Sequence, residues 1–194
     1  MIIAISSIKG GCSKTTLSCN IAARLAQLNH SVLLIDLDIQ HSSFDWVNRR
    51  NRNYPEYPYI TCSMAIDKKA MVEYAYIIID SPINKNVVNI ADYIIIPFRP
   101  SLLDVSTIPM ILKIVGTRTA IAVLTQCPTN SITDTNGAIE LLSSYEKIFL
   151  IDTLIHYRKS YIDSMCGLGV TEGKETKAKQ EIINLTNEVL KWQR

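Results

Sequence analysis

The sequence predicts an α/β fold in which a mostly parallel, twisted sheet carries helices on both faces. Three observations lead there. Apolar runs alternate with segments of helical period from one end of the chain to the other. Several of those runs are continuous rather than alternating, as expected of strands covered on both faces. A glycine-rich loop joins the first run to the first helical segment, and in such sheets ligands gather beyond the carboxyl ends of the strands.

The elements follow in order. Ile2–Ser6 is the first predicted strand; it is short and lacks the basic flank and small-residue cleavage site of a signal peptide. The glycine loop leads into a helix over Thr15–Gln27, followed by a strand over Val32–Asp36 and a helix over Ser42–Arg50. Asn48 to Pro58 is rich in Arg, Asn, Tyr and Pro, which predicts a surface loop carrying Arg49, Arg50 and Arg52. Further strands are expected at Tyr76–Asp80, Tyr93–Pro97, Ala120–Thr125 and Ile148–Ile151, and helices at Leu103–Val115, Thr135–Ser144, Ser160–Cys166 and Lys174–Trp192. No repeat, low-complexity segment or linker divides the chain, so residues 1–194 read as one domain.

With 47% hydrophobic and 20% charged residues, the chain suits a soluble domain with a sizeable core. A net charge of +2 means that any nucleic acid would be held by a local patch rather than by a basic body. No apolar stretch approaches the roughly 20 residues of a membrane span. Five cysteines are scattered without C-x-x-C spacing, which predicts free thiols and an intracellular chain. Cys12, in the glycine loop, is expected to face away from any ligand.

The chemistry is concentrated in Lys9-Gly10-Gly11-Cys12-Ser13-Lys14-Thr15-Thr16. Strand, glycine loop, Lys-Thr and helix is the order that cradles a nucleoside triphosphate. Backbone N–H groups point at the phosphates, and the helix N-terminus adds partial positive charge. Lys14 would reach the β- and γ-phosphates, and the Thr15 hydroxyl would bind Mg²⁺. Ile8 and Ser13 stand where the regular pattern G-x-x-x-x-G-K-[ST] has glycine. If position 13 needs φ > 0, serine costs roughly 1 kcal/mol; if it needs only clearance, the hydroxymethyl group would crowd or hydrogen-bond a phosphate. Two apolar strands end in aspartate, Asp36 and Asp80, and Asp38 follows closely. If their strands flank the first, Asp36 and Asp80 would hold the water shell of Mg²⁺, and Asp38 would orient the attacking water. Helix capping or turn formation is the alternative task for these carboxylates.

K-G-G-x-x-K-T-T resembles the deviant Walker A motif of the ParA/MinD family of ATPases, in which the early lysine reaches the partner subunit's nucleotide. Asp36-Leu37-Asp38-Ile39-Gln40 resembles that family's D-x-D-P-Q segment with Ile39 for proline, and Asp80 matches its Walker B aspartate. Ala91 to Pro97, Pro100-Ser101, Asp104, Tyr157 to Tyr161 and Gly167 to Glu172 are similar to later family segments. The likeness is strongest to short plasmid ParA proteins without an N-terminal DNA-binding domain. It implies a single P-loop NTPase domain that hydrolyses ATP with Mg²⁺ and forms a homodimer around two ATP molecules. It further implies non-specific DNA binding, a ParB-like partner protein and a cytoplasmic, nucleoid-associated location. Lys9, Lys14 and Asp38 are the catalytic candidates. Residues 9–16 are the nucleotide-binding candidates, with Thr15, Asp36 and Asp80 toward the metal.

For DNA, Arg158, Lys159, Lys174, Lys177, Lys179, Lys191 and Arg194 are the candidate cations, although Glu172, Glu175, Glu181 and Glu188 interleave with those of the last helix. No stable membrane association is expected. A MinD-like membrane role would need the apolar face of that helix, including Ile182, Leu185 and Val189, to lie on lipid. A small-molecule ligase or amidase of the same superfamily is another reading. An iron–sulfur ATPase is disfavoured by the lack of paired cysteines.

Overall fold

A computed structural model describes residues 1–130, 133–174 and 177–192. In chain order the elements are β1 (Ile2–Ser7), α1 (Lys14–Gln27), β2 (Val32–Asp36), α2 (Ser42–Asn53), β3 (Thr61–Ser63), α3 (Lys68–Met71), β4 (Tyr76–Pro82) and α4 (Lys85–Ile90). They continue with β5 (Tyr93–Phe98), α5 (Leu102–Val105), α6 (Ile108–Val115), β6 (Ala120–Leu124), α7 (Thr133–Ser143), β7 (Ile148–Leu150), α8 (Lys159–Ser164) and α9 (Lys177–Leu190). Among the described residues the strands form one seven-stranded sheet in the order β3-β2-β4-β1-β5-β6-β7, with every neighbouring pair parallel.

The continuous apolar runs are buried on both sides, as their lack of alternation predicts. Ile3, Ile5, Leu34 and Ile78 face a layer containing α1, α2 and α9 residues such as Leu17, Trp46 and Leu185. Ala4, Ile35, Ile79 and Ile96 face the other layer, with Val87, Ile108 and Leu142. Burying an Ile or Leu side chain stabilises by about 1.5–3 kcal/mol, so the strands of this sheet are committed to its centre.

Three local expectations are corrected. The expected helix Leu103–Val115 is two helices, because Pro109 in the first turn of α6 cannot donate to a carbonyl of the preceding turn and its ring would clash there. The expected loop Asn48–Pro58 is helical through Asn53 and stops before Pro55, because proline disfavours the α region for the residue before it; Tyr54, at φ −136° and ψ 62°, has left that region. Arg50 is therefore not on a surface loop; it is fully buried. Strand β3 and helices α3 and α4 were not legible as such. Residues 175 and 176, near the predicted start of the last helix, and Arg194 lie outside the described residues.

Asp80 lies beside Ile5 of β1 and beside Asp36 of β2. Only β4 directly flanks β1 among the two aspartate-bearing strands; β2 is one strand further out. The glycine loop, both aspartates and Lys14 thus meet beyond the carboxyl ends of adjacent parallel strands.

Candidate nucleotide site

β1 delivers its last residue, Ser7, into the loop, and α1 begins at Lys14. Gly11 has φ +72°, and Ser13 has φ 72° and ψ 20°. Position 13 therefore does require the left-handed region, and this serine pays the Cβ penalty of roughly 1–2 kcal/mol. Ser13 makes no capping bond, so no side chain occupies the first amides of α1. Those amides have no carbonyl within the helix either, which leaves a cluster of donors with partial positive charge for an anion. The serine hydroxyl instead accepts a 3.0 Å hydrogen bond from Gln126 Nε2, which also donates to Gly11 O at 2.6 Å. Gln126, itself at φ 55°, thereby holds the loop from just past the end of β6.

Cys12 is buried, its Sγ donating to Ser7 Oγ at 2.9 Å and Lys9 O at 3.2 Å. Its side chain faces the loop's inner wall, as expected, and only its backbone is available to a ligand. Lys9, Gly10 and Gly11 are exposed. Among the described residues Lys9 enters no ion pair, whereas Lys14 Nζ stands 3.7 Å from Asp38 Oδ2. The candidate phosphate-binding lysine and water-orienting carboxylate thus share one location.

The two strand-end aspartates differ. Asp36 accepts backbone bonds from Asp38 N at 3.0 Å, Ser43 N at 2.9 Å and Phe44 N at 3.0 Å. It performs the capping task for α2 that stood as the alternative to metal binding. Asp80 is fully buried, and among the described residues neither carboxylate oxygen has a hydrogen-bond partner within 3.5 Å. Burial pushes its carboxyl up to about 6, helped by the charge of Asp36, while the nearby Thr15 and Ser43 hydroxyls and Lys14 hold it back. An orphaned buried carboxylate beside the Thr15 hydroxyl fits a cation's water shell. Among the described residues no group of three or more His, Cys, Asp and Glu side chains could hold a metal. Mg²⁺ does not need such a group, since it takes one or two carboxylates and completes its octahedron with water and phosphate.

A cleft of about 300 Å³ adjoins the loop, lined by Ser13 and Thr16 together with Gln126, Tyr157, Tyr161 and Met165. Arg158 also lines it, paired to Glu181 at 2.7 Å. The DNA candidates are spread over α8, α9 and the segments beside them. Lys159 is exposed and paired to Asp163 at 2.7 Å. Lys177 opens α9, and Lys191 lies just past its other end; a helix of 14 residues separates such ends by about 20 Å. Lys179 is half-buried and Lys174 exposed.

Gln126 escaped the sequence reading, although the signal that marked the aspartates applies to it: a polar side chain just past an apolar strand. Asp104 is buried and clamped by Arg99 Nε and Nη2 at 2.9 and 2.8 Å. Its burial would raise the carboxyl, but the bonds from Arg99 outweigh that and lower it.

Comparison with known proteins agrees with this geometry. The sequence profile CbiA, the CobQ/CobB/MinD/ParA nucleotide binding domain, matches residues 3–167. The chain is 32% identical over 113 residues to maintenance of carboxysome distribution protein A of Halothiobacillus neapolitanus, covering 53% of this chain and 52% of that protein. It thus spans about half the length of that relative, and a match to an ATPase ASNA1 homolog of Plasmodium vivax spans 13% of it. In fold it is similar to apo McdA of Cyanothece, with TM-score 0.80, 18% identity and coverage of 97% and 98% of the two chains. It is also similar to MinD of Aquifex aeolicus, with TM-score 0.75, 22% identity and coverage of 100% and 98%. A Borrelia burgdorferi putative plasmid partition protein bound to AMPPNP gives TM-score 0.72 at 19% identity, covering 98% of each chain. With the profile covering most of its length and the loop, lysines and buried aspartate in place, the chain belongs to the CobQ/CobB/MinD/ParA nucleotide-binding family.

Proposed function

We propose that the chain is a Mg²⁺-dependent ATPase that dimerises around ATP and positions cargo on DNA with a ParB-like partner protein. The observation that carries this reading is the pair of lysines. Lys14 faces the site's own carboxylate, Asp38, while Lys9 is exposed and outside any ion pair among the described residues. In the family the chain resembles, the early lysine reaches the partner subunit's nucleotide, and an exposed Lys9 outside any ion pair among the described residues fits that role. ATP and Mg²⁺ would supply the phosphoryl group and much of the charge neutralisation that phosphoryl transfer needs. The chain's own part is positioning. The free amides of α1 and Lys14 would hold the phosphates, the Thr15 hydroxyl and Asp80 the metal's water shell, and Asp38 the attacking water.

Structures similar in fold include a plasmid partition protein with AMPPNP and a cobyrinic acid a,c-diamide synthase with an ATP analog and magnesium, which supports the choice of ligands. The relative named for carboxysome distribution supports a positioning role. Membrane positioning is disfavoured because Ile182, Leu185 and Val189 of α9 are buried in the core rather than presented to lipid.

The test is a gel shift on arbitrary DNA with ATP, ADP or no nucleotide across a salt series. An ATP-dependent shift that weakens steeply with salt supports the reading, because counterion release governs such binding. ATP turnover that depends on a small-molecule substrate, with no DNA shift, favours the ligase or amidase alternative; ATP-dependent sedimentation with liposomes favours a MinD-like role.

A further inference from the structure

Glu181 of α9 is a buried hub. Its Oε1 accepts from His156 Nδ1 at 2.8 Å and from Arg158 Nε and Nη2 at 2.9 and 2.7 Å. Its Oε2 accepts from the Tyr161 hydroxyl at 2.9 Å and the His156 backbone N–H at 3.3 Å. A carboxylate offers lone pairs only, so His156 Nδ1 carries the proton in this contact. His156, Arg158 and Tyr161 come from the segment between β7 and the first turns of α8, and all three line the cleft together with Ser13 and Thr16. Glu181 does not line that cleft; it stands behind it.

We propose that Glu181 is the positioning residue for a nucleoside subsite, holding His156, Arg158 and Tyr161 in the cleft wall so that a purine base fits beside the phosphate loop. The inference rests on the ATPase reading above, because the phosphates fix which end of the cleft the base enters. The cleft's chemistry suits a flat heterocycle. Ile155, Tyr161, Ile162 and Met165 supply apolar surface, and Gln126, His156 and Arg158 supply polar groups at its margin. Charge-assisted bonds to one buried carboxylate give those side chains a fixed place that an exposed loop would not. α9 also packs against α1, which begins at the phosphate loop. One helix therefore supports both ends of the proposed nucleotide.

The consequence is separable from loss of fold. A positioning role at the base end affects ATP but not a ligand made of phosphates alone. Binding of ATP and of inorganic tripolyphosphate, each with Mg²⁺, is to be measured by calorimetry on the full chain, Glu181→Gln, Glu181→Ala and Tyr161→Phe. Thermal melts accompany each variant. Loss of a supporting partner weakens binding at metal sites by roughly tenfold or more, and the Glu181 variants are expected to lose ATP affinity on that scale. Their tripolyphosphate affinity stays within about twofold of the parent. Tyr161→Phe, which removes one hydroxyl and little volume, shows the same ATP-only pattern at about threefold. ATP affinity unchanged in a folded Glu181 variant overturns the inference, as does an equal loss for both ligands. If neither Glu181 variant folds, an unaltered ATP affinity in Tyr161→Phe overturns it. A parent chain that binds both ligands equally leaves the phosphate loop standing and removes the subsite. A parent chain that binds neither ligand overturns the ATPase reading and the subsite together.

Discussion

At the scale of single residues, Ser13 and Asp80 each hold an unfavourable state that a neighbour or a ligand must offset. Ser13 has φ 72°, which costs an L-residue roughly 1–2 kcal/mol. Against this stand a hydrogen bond from Gln126, worth about 1 kcal/mol, and the smaller unfolded-state entropy of serine relative to glycine, about 0.4–1 kcal/mol. The terms nearly cancel. Ser13→Gly is expected to leave stability within about 1 kcal/mol and ATP affinity at or slightly above the parent value, read by urea melts and titration. Gln126→Ala removes the offset and the bond to Gly11 O, and is expected to destabilise by about 1 kcal/mol or more. Asp80 has the opposite pH sign from a salt-bridged carboxylate. Its folded value of about 6 exceeds the ordinary 3.8, so the burial penalty is absent at low pH, grows between those values and is complete above about pH 6. At about 1.4 kcal/mol per unit the full penalty is roughly 3 kcal/mol. Asp80→Asn should therefore raise the stability of nucleotide-free protein by about 2–3 kcal/mol at pH 8, with the difference vanishing near pH 4. It should also abolish the extra stabilisation that Mg²⁺ gives in the presence of ATP. Equal pH profiles for the parent and Asp80→Asn would exclude this role for the buried charge.

At the scale of elements, α2 and the segment after α8 are stapled together by contacts far apart in sequence. Arg50 Nε donates to Glu172 Oε2 at 3.1 Å, Nη2 bonds Oε1, and Nη1 donates to Asn51 Oδ1 and Pro58 O. Both side chains of the pair are fully buried. Trp46 Nε1 donates to Ser164 O at 2.8 Å and Arg49 to Met165 O at 2.6 Å. Gly169 sits so close to Ala23 and Asn20 that an added Cβ would meet Ala23 Cβ at 3.1 Å. Breaking a buried ion pair leaves a stranded charge and costs about 3–5 kcal/mol, whereas replacing both partners by apolar groups is close to neutral. Glu172→Leu or Arg50→Met alone should therefore lower stability by that amount, and the double variant should recover most of it, measured as a double-mutant cycle in urea. Additive losses would show that the pair is not coupled. These staples were illegible in sequence for a physical reason. Arg-Arg-Asn-Arg-Asn beside two prolines has the composition of a loop, and Arg50 is buried only because Glu172, 122 residues later, meets it. The strands and the glycine loop, by contrast, were legible because continuous apolar runs and local loop chemistry need no distant partner. Asp36 is intermediate: its place at a strand end could be read, but its engagement by the first amides of α2 depends on how the chain returns.

At the scale of the whole molecule, the sheet brings two lysines to one loop and gives them different surroundings. Lys14 is mostly buried and within 3.7 Å of Asp38; Lys9 is exposed. If Lys14 serves the chain's own nucleotide and Lys9 a partner's, their removal must produce different failures. Lys14→Ala takes a charge from the phosphates of its own site and should weaken ATP binding by tenfold or more, since charge-assisted bonds contribute about 1.5–3 kcal/mol each. Lys9→Ala leaves the loop amides, Lys14 and Asp80 in place, so ATP binding to the monomer should remain within about threefold of the parent. What it should lose is the dimer that forms with ATP and, with it, turnover. Light scattering with ATP and a non-hydrolysable analogue, beside monomer binding by calorimetry at low protein concentration, separates the two. Mixing the variants adds a sharper arm. A Lys9→Ala subunit paired with a Lys14→Ala subunit has one nucleotide site lacking both lysines and one site lacking neither. The mixture should therefore recover part of the turnover that either variant alone has lost. Normal dimerisation by Lys9→Ala alone, or no recovery in the mixture, would place both lysines at the same nucleotide and remove the case for a shared site.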